Sequence, residues 1–240
     1  MKGVVLAGGL GTRLYPLTYA TNKHLLPIYD KPMVFYPIQT LLSAGIDEIL
    51  VVVGGPHAGH FMSVLRNGKN LGVKHLEFAF QENEGGIAEA LKLAEDFADG
   101  ENITVILGDN TTDAKITEPV KSFKDGALVF LKKVIDPKRF GVPVFDPKNP
   151  EKIIKIEEKP NKPKSDFAVV GLYIYDKKVF EYIHSNKPSE RGELEITDVN
   201  NRYIEKEKLK WAELKGFWSD AGTFKSLYLT SRYWAEKAGL

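Results

Sequence analysis

The chain has 240 residues, 33 Lys and Arg against 32 Asp and Glu for a formal net charge of +1, and no cysteine. At ~100–200 residues per domain, this length holds one large domain or two small ones, with enough chain to bury a full core. The charge balance argues against affinity for a nucleic-acid backbone, and zero Cys excludes disulfides, thiolate nucleophiles and cysteine-ligated metal centres.

No apolar stretch approaches the ~20 residues that a membrane helix needs. The apolar residues Val4 to Ala7 end at Gly8 and are too few for the core of a signal peptide. The expectation is a cytoplasmic protein with no membrane and no nucleic-acid partner.

Short apolar runs at 2–7, 48–53, 75–80 and 103–107 read as strands rich in Val, Ile, Leu or Phe. A helix is expected over 34–44, with Pro37 in its first turn and Gly45 as its stop, and another over 87–98 before Gly100. The resulting β-α-β-α-β-α-β order predicts parallel strands joined by crossover helices. Beyond Asp109 the texture changes: strand-like runs at 127–131, 142–145, 153–156 and 167–175 follow with few helical patterns between them. The Pro- and Lys-rich stretch 159–164 reads as a surface turn. Helical patterns return over 176–184, 196–205 and 223–237. The expected fold class is α/β: a single Rossmann-like domain over 1–240 with a central, mostly parallel mixed sheet flanked by helices, plus a smaller β-rich portion.

The segment Leu6-Ala7-Gly8-Gly9-Leu10-Gly11-Thr12-Arg13-Leu14 follows the first strand directly. Glycines without Cβ let backbone N–H groups converge on one point, which suits a phosphate at the carboxyl edge of a parallel sheet. The same glycines could also make no more than a tight strand-to-helix turn, but Arg13 favours the phosphate reading. The loop does not fit the dinucleotide fingerprint, since Leu14 stands where its last glycine belongs, and no Gly-Lys-Ser or Gly-Lys-Thr completes a P-loop. Lys23 follows ten residues after Arg13, just before the apolar segment Leu25-Leu26-Pro27. Asp109 ends the strand 103–107 past Gly108, at the sheet edge where a metal or ligand fits.

Gly8 to Leu14, Lys23 and Leu25-Leu26-Pro27 together resemble the sugar-1-phosphate nucleotidylyltransferases. The resemblance extends through Tyr15-Pro16, Pro27 to Met33, Gly108-Asp109-Asn110, Glu157 to Pro160 and Arg191 to Asp198. Within the family it is nearest to the thymidylyltransferases that act on glucose 1-phosphate. It implies a Mg2+-dependent, in-line attack of the sugar phosphate on the α-phosphorus of dTTP, giving dTDP-glucose and pyrophosphate. The attacking phosphate monoester has a second pKa near ~6, so it arrives ionised and needs no general base.

The resemblance makes Arg13 and Lys23 catalytic. It assigns Gly8, Gly9, Gly11, Thr12, Arg13, Lys23, Gln81, Gly86 and Asp109 to the nucleotide, with the nucleotide-binding part at about 1–110. It assigns Asn110, Gly141, Glu158, Lys159, Val169, Tyr173 and Arg191 to the sugar phosphate, with that part at about 111–225. Asp109 and Asp220 are its implied metal ligands, two hard carboxylates that suit Mg2+.

Several residues depart from the family pattern: His24 replaces a glutamine, Glu82-Asn83-Glu84-Gly85 replaces a proline-containing loop, and Ala221 follows Asp220 in place of threonine. Longer members continue past the position of Leu240 with a helical region bearing regulatory and oligomer contacts, which leaves homo-oligomerisation open. UTP is the nearest alternative to dTTP, because one thymine methyl is worth only roughly 0.8 kcal/mol of burial. A catalytically silent nucleotide-sugar sensor and a dinucleotide-dependent oxidoreductase are the rivals from other classes.

Overall fold

The computed structural model describes residues 1–240. The first half runs β1 (Lys2–Ala7), the paired two-residue strands β2 (Pro27–Ile28) and β3 (Lys31–Pro32), then α1 (Phe35–Ser43), β4 (Glu48–Gly54) and α2 (Ala58–Leu65). It continues with β5 (His75–Gln81), α3 (Ile87–Lys92), α4 (Glu95–Ala98) and β6 (Ile103–Leu107). β6, β1, β4 and β5 lie side by side in that order, all parallel. The inner strands are apolar runs because both their faces are covered, whereas β5 at the edge is largely exposed or half-buried.

The second half runs β7 (Asn110–Thr112), α5 (Thr117–Ser122), β8 (Ala127–Lys133), β9 (Gly141–Asp146), β10 (Asn149–Glu158) and β11 (Phe167–Tyr175). Then come α6 (Lys178–Ser185), α7 (Ile196–Glu205), β12 (Leu209–Glu213), β13 (Trp218–Asp220) and α8 (Phe224–Lys237). β11 joins the halves: it pairs antiparallel with β6, and on its other edge with β8, which pairs parallel with β12. The antiparallel β9–β10 hairpin attaches beyond, through Val169 opposite Gly141.

Alternate residues of each strand point to opposite faces, and two cores result. Val4, Leu6, Leu50 and Val52 pack with residues of α3, α6 and α7. Val5, Ala7, Val51 and Val53 pack with residues of α1 and α2.

The expected strands and helices appear, with differences that have physical reasons. The expected helix 87–98 is two helices, α3 and α4, interrupted at Leu93 and Ala94. The expected helix at 223–237 begins one residue later because Thr223 is its N-cap, exchanging hydrogen bonds with Ser226 in a capping box. Helix α2 fills the crossover that the β-α-β order required. α5, β12 and β13 were not anticipated; the strands are short and are defined by distant partners, β8 and β7.

Between β1 and α1, Asn22 ties the chain down: its side chain accepts from the His24 backbone N–H at 3.0 Å and bonds the His24 Nδ1 at 2.8 Å. His24 is 2% exposed, and burial, helped by the Lys23 charge, pushes its pKa down to about 3. In β11 the register shifts between Val169 and Tyr173, and Gly171 lies in that bulge. A Cβ there would sit 2.6 Å from the Leu107 side chain and 2.9 Å from Asn110 Nδ2, so only glycine permits this approach.

Gly171→Ala should therefore lower stability by about 1–3 kcal/mol, read as a fall in Tm of roughly 2–4 °C per kcal/mol; an unchanged Tm would contradict the packing. The buried His24 stays neutral where an unfolded histidine takes up a proton, so stability should be lost as pH falls from 6.5 toward 3. His24→Gln should flatten that acid limb in pH-dependent denaturation, and parallel limbs in both proteins would show that another group controls it.

Candidate active site

The glycine loop turns sharply at the carboxyl edge of the parallel strands. Gly11 has φ +65, a left-handed conformation that costs glycine little, and it opens the Thr12–Leu14 turn that carries Arg13. Asn22 Nδ2 reaches back toward the carbonyls of Gly9 (3.5 Å) and Gly54 (3.4 Å). The turn Lys23–Leu25, which Asn22 caps, is thereby fixed beneath the loop.

Two clefts meet at this edge. The first, of about 480 Å³, is lined by Gly8, Gly9, Gly11, Thr12, Arg13, Lys23, Gln81, Gly86 and Asp109, every residue expected at the nucleotide. The second, of about 380 Å³, is lined by Asn110, Gly141, Glu158, Lys159, Val169, Tyr173 and Arg191, every residue expected at the sugar phosphate, together with Asp220. Arg13, Ile87, Leu107 and Asp109 belong to both walls.

Asp109 sits where the clefts join. Lys23 Nζ lies 2.7 Å from its Oδ2, with side chains only 15% and 12% exposed, and Asn110 Nδ2 donates to its Oδ1 at 2.9 Å. Burial opposes its charge, but Lys23, with help from the Asn110 bond, holds the carboxyl well below the usual range. β13 pairs with β7 so that Asp220 lies opposite Asn110, and the Ala221 N–H donates to the Asp109 carbonyl at 2.9 Å. Burial and the nearby Asp109 charge push the Asp220 carboxyl up, although Arg139 bonds it at 2.8 Å. Gly222 brings backbone between Arg13 and Asp109, since a Cβ there would stand 3.3 Å from Arg13 Nη2 and 3.5 Å from Asp109 Oδ2.

The residues alone form no group of three or more His, Cys, Asp or Glu able to hold a metal. Asp109 and Asp220 supply two hard oxygen donors whose mutual repulsion a divalent cation would relieve, so the donor set fits such an ion when a substrate provides further oxygens.

In the second cleft, Glu158 accepts from Thr197 Oγ1 at 2.5 Å and lies 3.4 Å from Lys159 Nζ. Arg191 pairs with Glu193 at 2.8 Å and Glu195 at 3.3 Å, and reaches Glu158 at 3.9 Å. Asn110 Oδ1 accepts from Trp218 Nε1 at 2.7 Å and from the Gly171 N–H at 3.1 Å, so its carbonyl oxygen is already engaged by the scaffold. Burial raises the Tyr173 hydroxyl, which stays protonated and available as a donor.

Gln81 donates to Glu89 at 3.2 Å, and Glu89 also accepts from the Gly85 N–H at 2.8 Å. The Leu194 N–H donates to the Gly85 carbonyl at 2.7 Å and the Ala88 N–H to the Leu194 carbonyl at 3.1 Å, which joins the Arg191 segment to the start of α3. Glu84 accepts from the Leu10 N–H at 2.6 Å, placing a carboxylate on the glycine loop.

Sequence reasoning passed over Arg139, Glu84, Thr197, Trp218 and Gly171. Trp218 stands in the same short segment as Asp220, but nothing in that segment foretells its bond to Asn110. Arg139 meets Asp220 across 81 positions, and no local pattern foretells such a pairing.

The nucleotidyl transferase family model matches residues 2–237. A glucose-1-phosphate thymidylyltransferase of Neisseria gonorrhoeae is 44% identical over 234 residues, spanning 95% of this chain and 80% of that protein. One from Xanthomonas campestris is 42% identical over 238 residues, spanning 97% and 80%. A solved Bacillus anthracis structure, described as a candidate glucose-1-phosphate thymidylyltransferase in complex with a sucrose, superposes with a TM-score of 0.91 at 47% identity, covering 97% of this chain and 94% of that one. A UDP-glucose pyrophosphorylase complexed with UDP-glucose shares the fold, with a TM-score of 0.87 at 23% identity over 98% of both chains. With its phosphate-suited loop, paired clefts and near full-length match, the chain belongs to the nucleotidyl transferase family.

Proposed function

We propose that the chain catalyses nucleotidyl transfer from dTTP to glucose 1-phosphate, releasing pyrophosphate and forming dTDP-glucose, as a single-domain cytoplasmic enzyme. The observation that carries this reading is the junction of the two clefts at Arg13 and Asp109: one cleft opens on a glycine loop, the other on sugar-compatible polar groups. The relatives named for this reaction match nearly the whole chain.

The reaction demands that two polyanions be held in line and that charge be neutralised as pyrophosphate leaves. In this reading the triphosphate lies along the backbone of Gly8, Gly9, Gly11 and Thr12, and the base reaches Gln81 and Gly86. Arg13 is exposed and makes no ion pair, so its guanidinium is free to meet the departing pyrophosphate. Lys23, held by Asp109, adds charge at the same point. Lys159 and Arg191 shed part of their pairing with Glu158 and Glu193 to take the sugar's phosphate, freeing Glu158 to accept from sugar hydroxyls. Val169 and Tyr173 wall the pocket, Gly141 lets backbone approach the ring, and Asn110 fixes the wall through its amide. Asp109 and Asp220 would hold Mg2+, whose chemistry is to screen the phosphate charges and steady the leaving group. The oxygen that attacks belongs to a phosphate monoester whose second pKa is near ~6, so it arrives ionised and needs no base.

Pyrophosphate release should require Mg2+ and glucose 1-phosphate and should be faster with dTTP than with UTP. Silence with every nucleotide, or faster turnover with UTP, would overturn the assignment. Asp109→Asn and Asp220→Asn should each lower kcat by about 10²-fold or more, and near-normal turnover in either would refute that ligand. The Glu84 carboxylate occupies the Leu10 N–H on the glycine loop; if it competes with phosphate there, Glu84→Gln should lower the KM for dTTP by up to about tenfold, and an unchanged or higher KM would show that it does not compete.

A further inference from the structure

Asn200 lines the second cleft from α7, yet it is only 1% exposed. Its Oδ1 accepts from the Tyr175 hydroxyl at 2.7 Å, while its Nδ2 is buried without any partner. Leaving a buried donor unpaired is costly, so an unpaired group in a native fold calls for a reason. A ligand that completes the bond on binding is such a reason.

Asn200 stands three residues after Thr197, so the two share one face of α7. Thr197 uses its hydroxyl on Glu158, whereas Asn200, which lines the same cleft, keeps its Nδ2 unpaired. Lys159 and Arg191 already supply the cations for the sugar's phosphate, which leaves a neutral polar group as the partner for an uncharged amide. A hydroxyl both donates and accepts, so it pairs with whichever amide atom Tyr175 leaves free.

Resting on the reading of this cleft as the glucose 1-phosphate site, we propose that Asn200 is a further sugar-binding residue whose side-chain amide bonds a ring hydroxyl and helps select the sugar. Tyr175 is its positioning partner: the hydroxyl holds one branch of the amide so that the other stays available. A sugar lacking that hydroxyl leaves the amide unpaired, and the site thereby discriminates against it.

The test measures kcat/KM for wild type and Asn200→Ala with glucose 1-phosphate and with a series of analogues that each lack one hydroxyl. Asn200→Ala should lose about 10- to 100-fold with glucose 1-phosphate while the KM for dTTP is unchanged. One deoxy analogue should be used equally by wild type and variant, whereas the others retain the defect; this coupling is something a purely structural role would not produce. The double variant Tyr175→Phe with Asn200→Leu removes both buried polar partners at once, which favours retention of the fold, and should give the same pattern. An equal penalty for every sugar, or none, overturns the proposal and leaves the amide to a buried water. Wild-type silence with glucose 1-phosphate overturns the reaction reading, and the proposal falls with it.

Discussion

The buried ion pair between Lys23 and Asp109 is the contact around which the site is organised. Removing one partner of such a pair leaves an uncompensated charge and costs roughly 3–5 kcal/mol. The pair joins the segment after the glycine loop to the end of β6, two parts of the chain separated by 86 positions. From Asp109 the order propagates outward: its carbonyl takes the Ala221 N–H, and its side chain takes the Asn110 amide. Asn110 in turn receives Gly171 and Trp218, which sets the wall of the second cleft. One carboxylate thus fixes the relation between the first cleft and the second.

The charges around it form a balanced set. Each candidate metal ligand has its own cation, Lys23 for Asp109 and Arg139 for Asp220, and Glu158 is flanked by Lys159 and Arg191. Arg13 has no acidic partner and stands on the wall that both clefts share. In the proposed reaction polyanions enter by exchanging internal pairs for pairs with substrate, while the buried Lys23–Asp109 pair keeps its donors in place in a medium where charge–charge interactions are strong. The Glu84 carboxylate on the Leu10 N–H follows the same logic, since it satisfies a loop amide that points where an anion belongs.

The parallel half of the fold was legible because buried strands leave a local signature: apolar runs ending in Gly8, Gly54 and Gly108. The two-residue and three-residue strands were not, because β13 exists only by pairing with β7 and carries no periodicity of its own. The residues of the two clefts were legible through their resemblance to a family, not through composition: Lys159 or Arg191 alone looks like any surface charge. Arg139, Thr197 and Asn200 escaped because their roles come from what packs against them. The Tyr175 hydroxyl lies 25 positions from Asn200, and no spacing rule links a strand tyrosine to that helix amide.

The central claim is direct displacement: substrate oxygen attacks phosphorus with no enzyme nucleophile between them. The most direct test is exchange of labelled pyrophosphate into dTTP, measured with Mg2+ in the presence and absence of the sugar phosphate. The account predicts no exchange without a sugar substrate and ready exchange when dTDP-glucose and pyrophosphate are supplied together. Exchange in the absence of any sugar would reveal a nucleotidylated enzyme, and the reading of the two clefts as a single in-line site would be wrong.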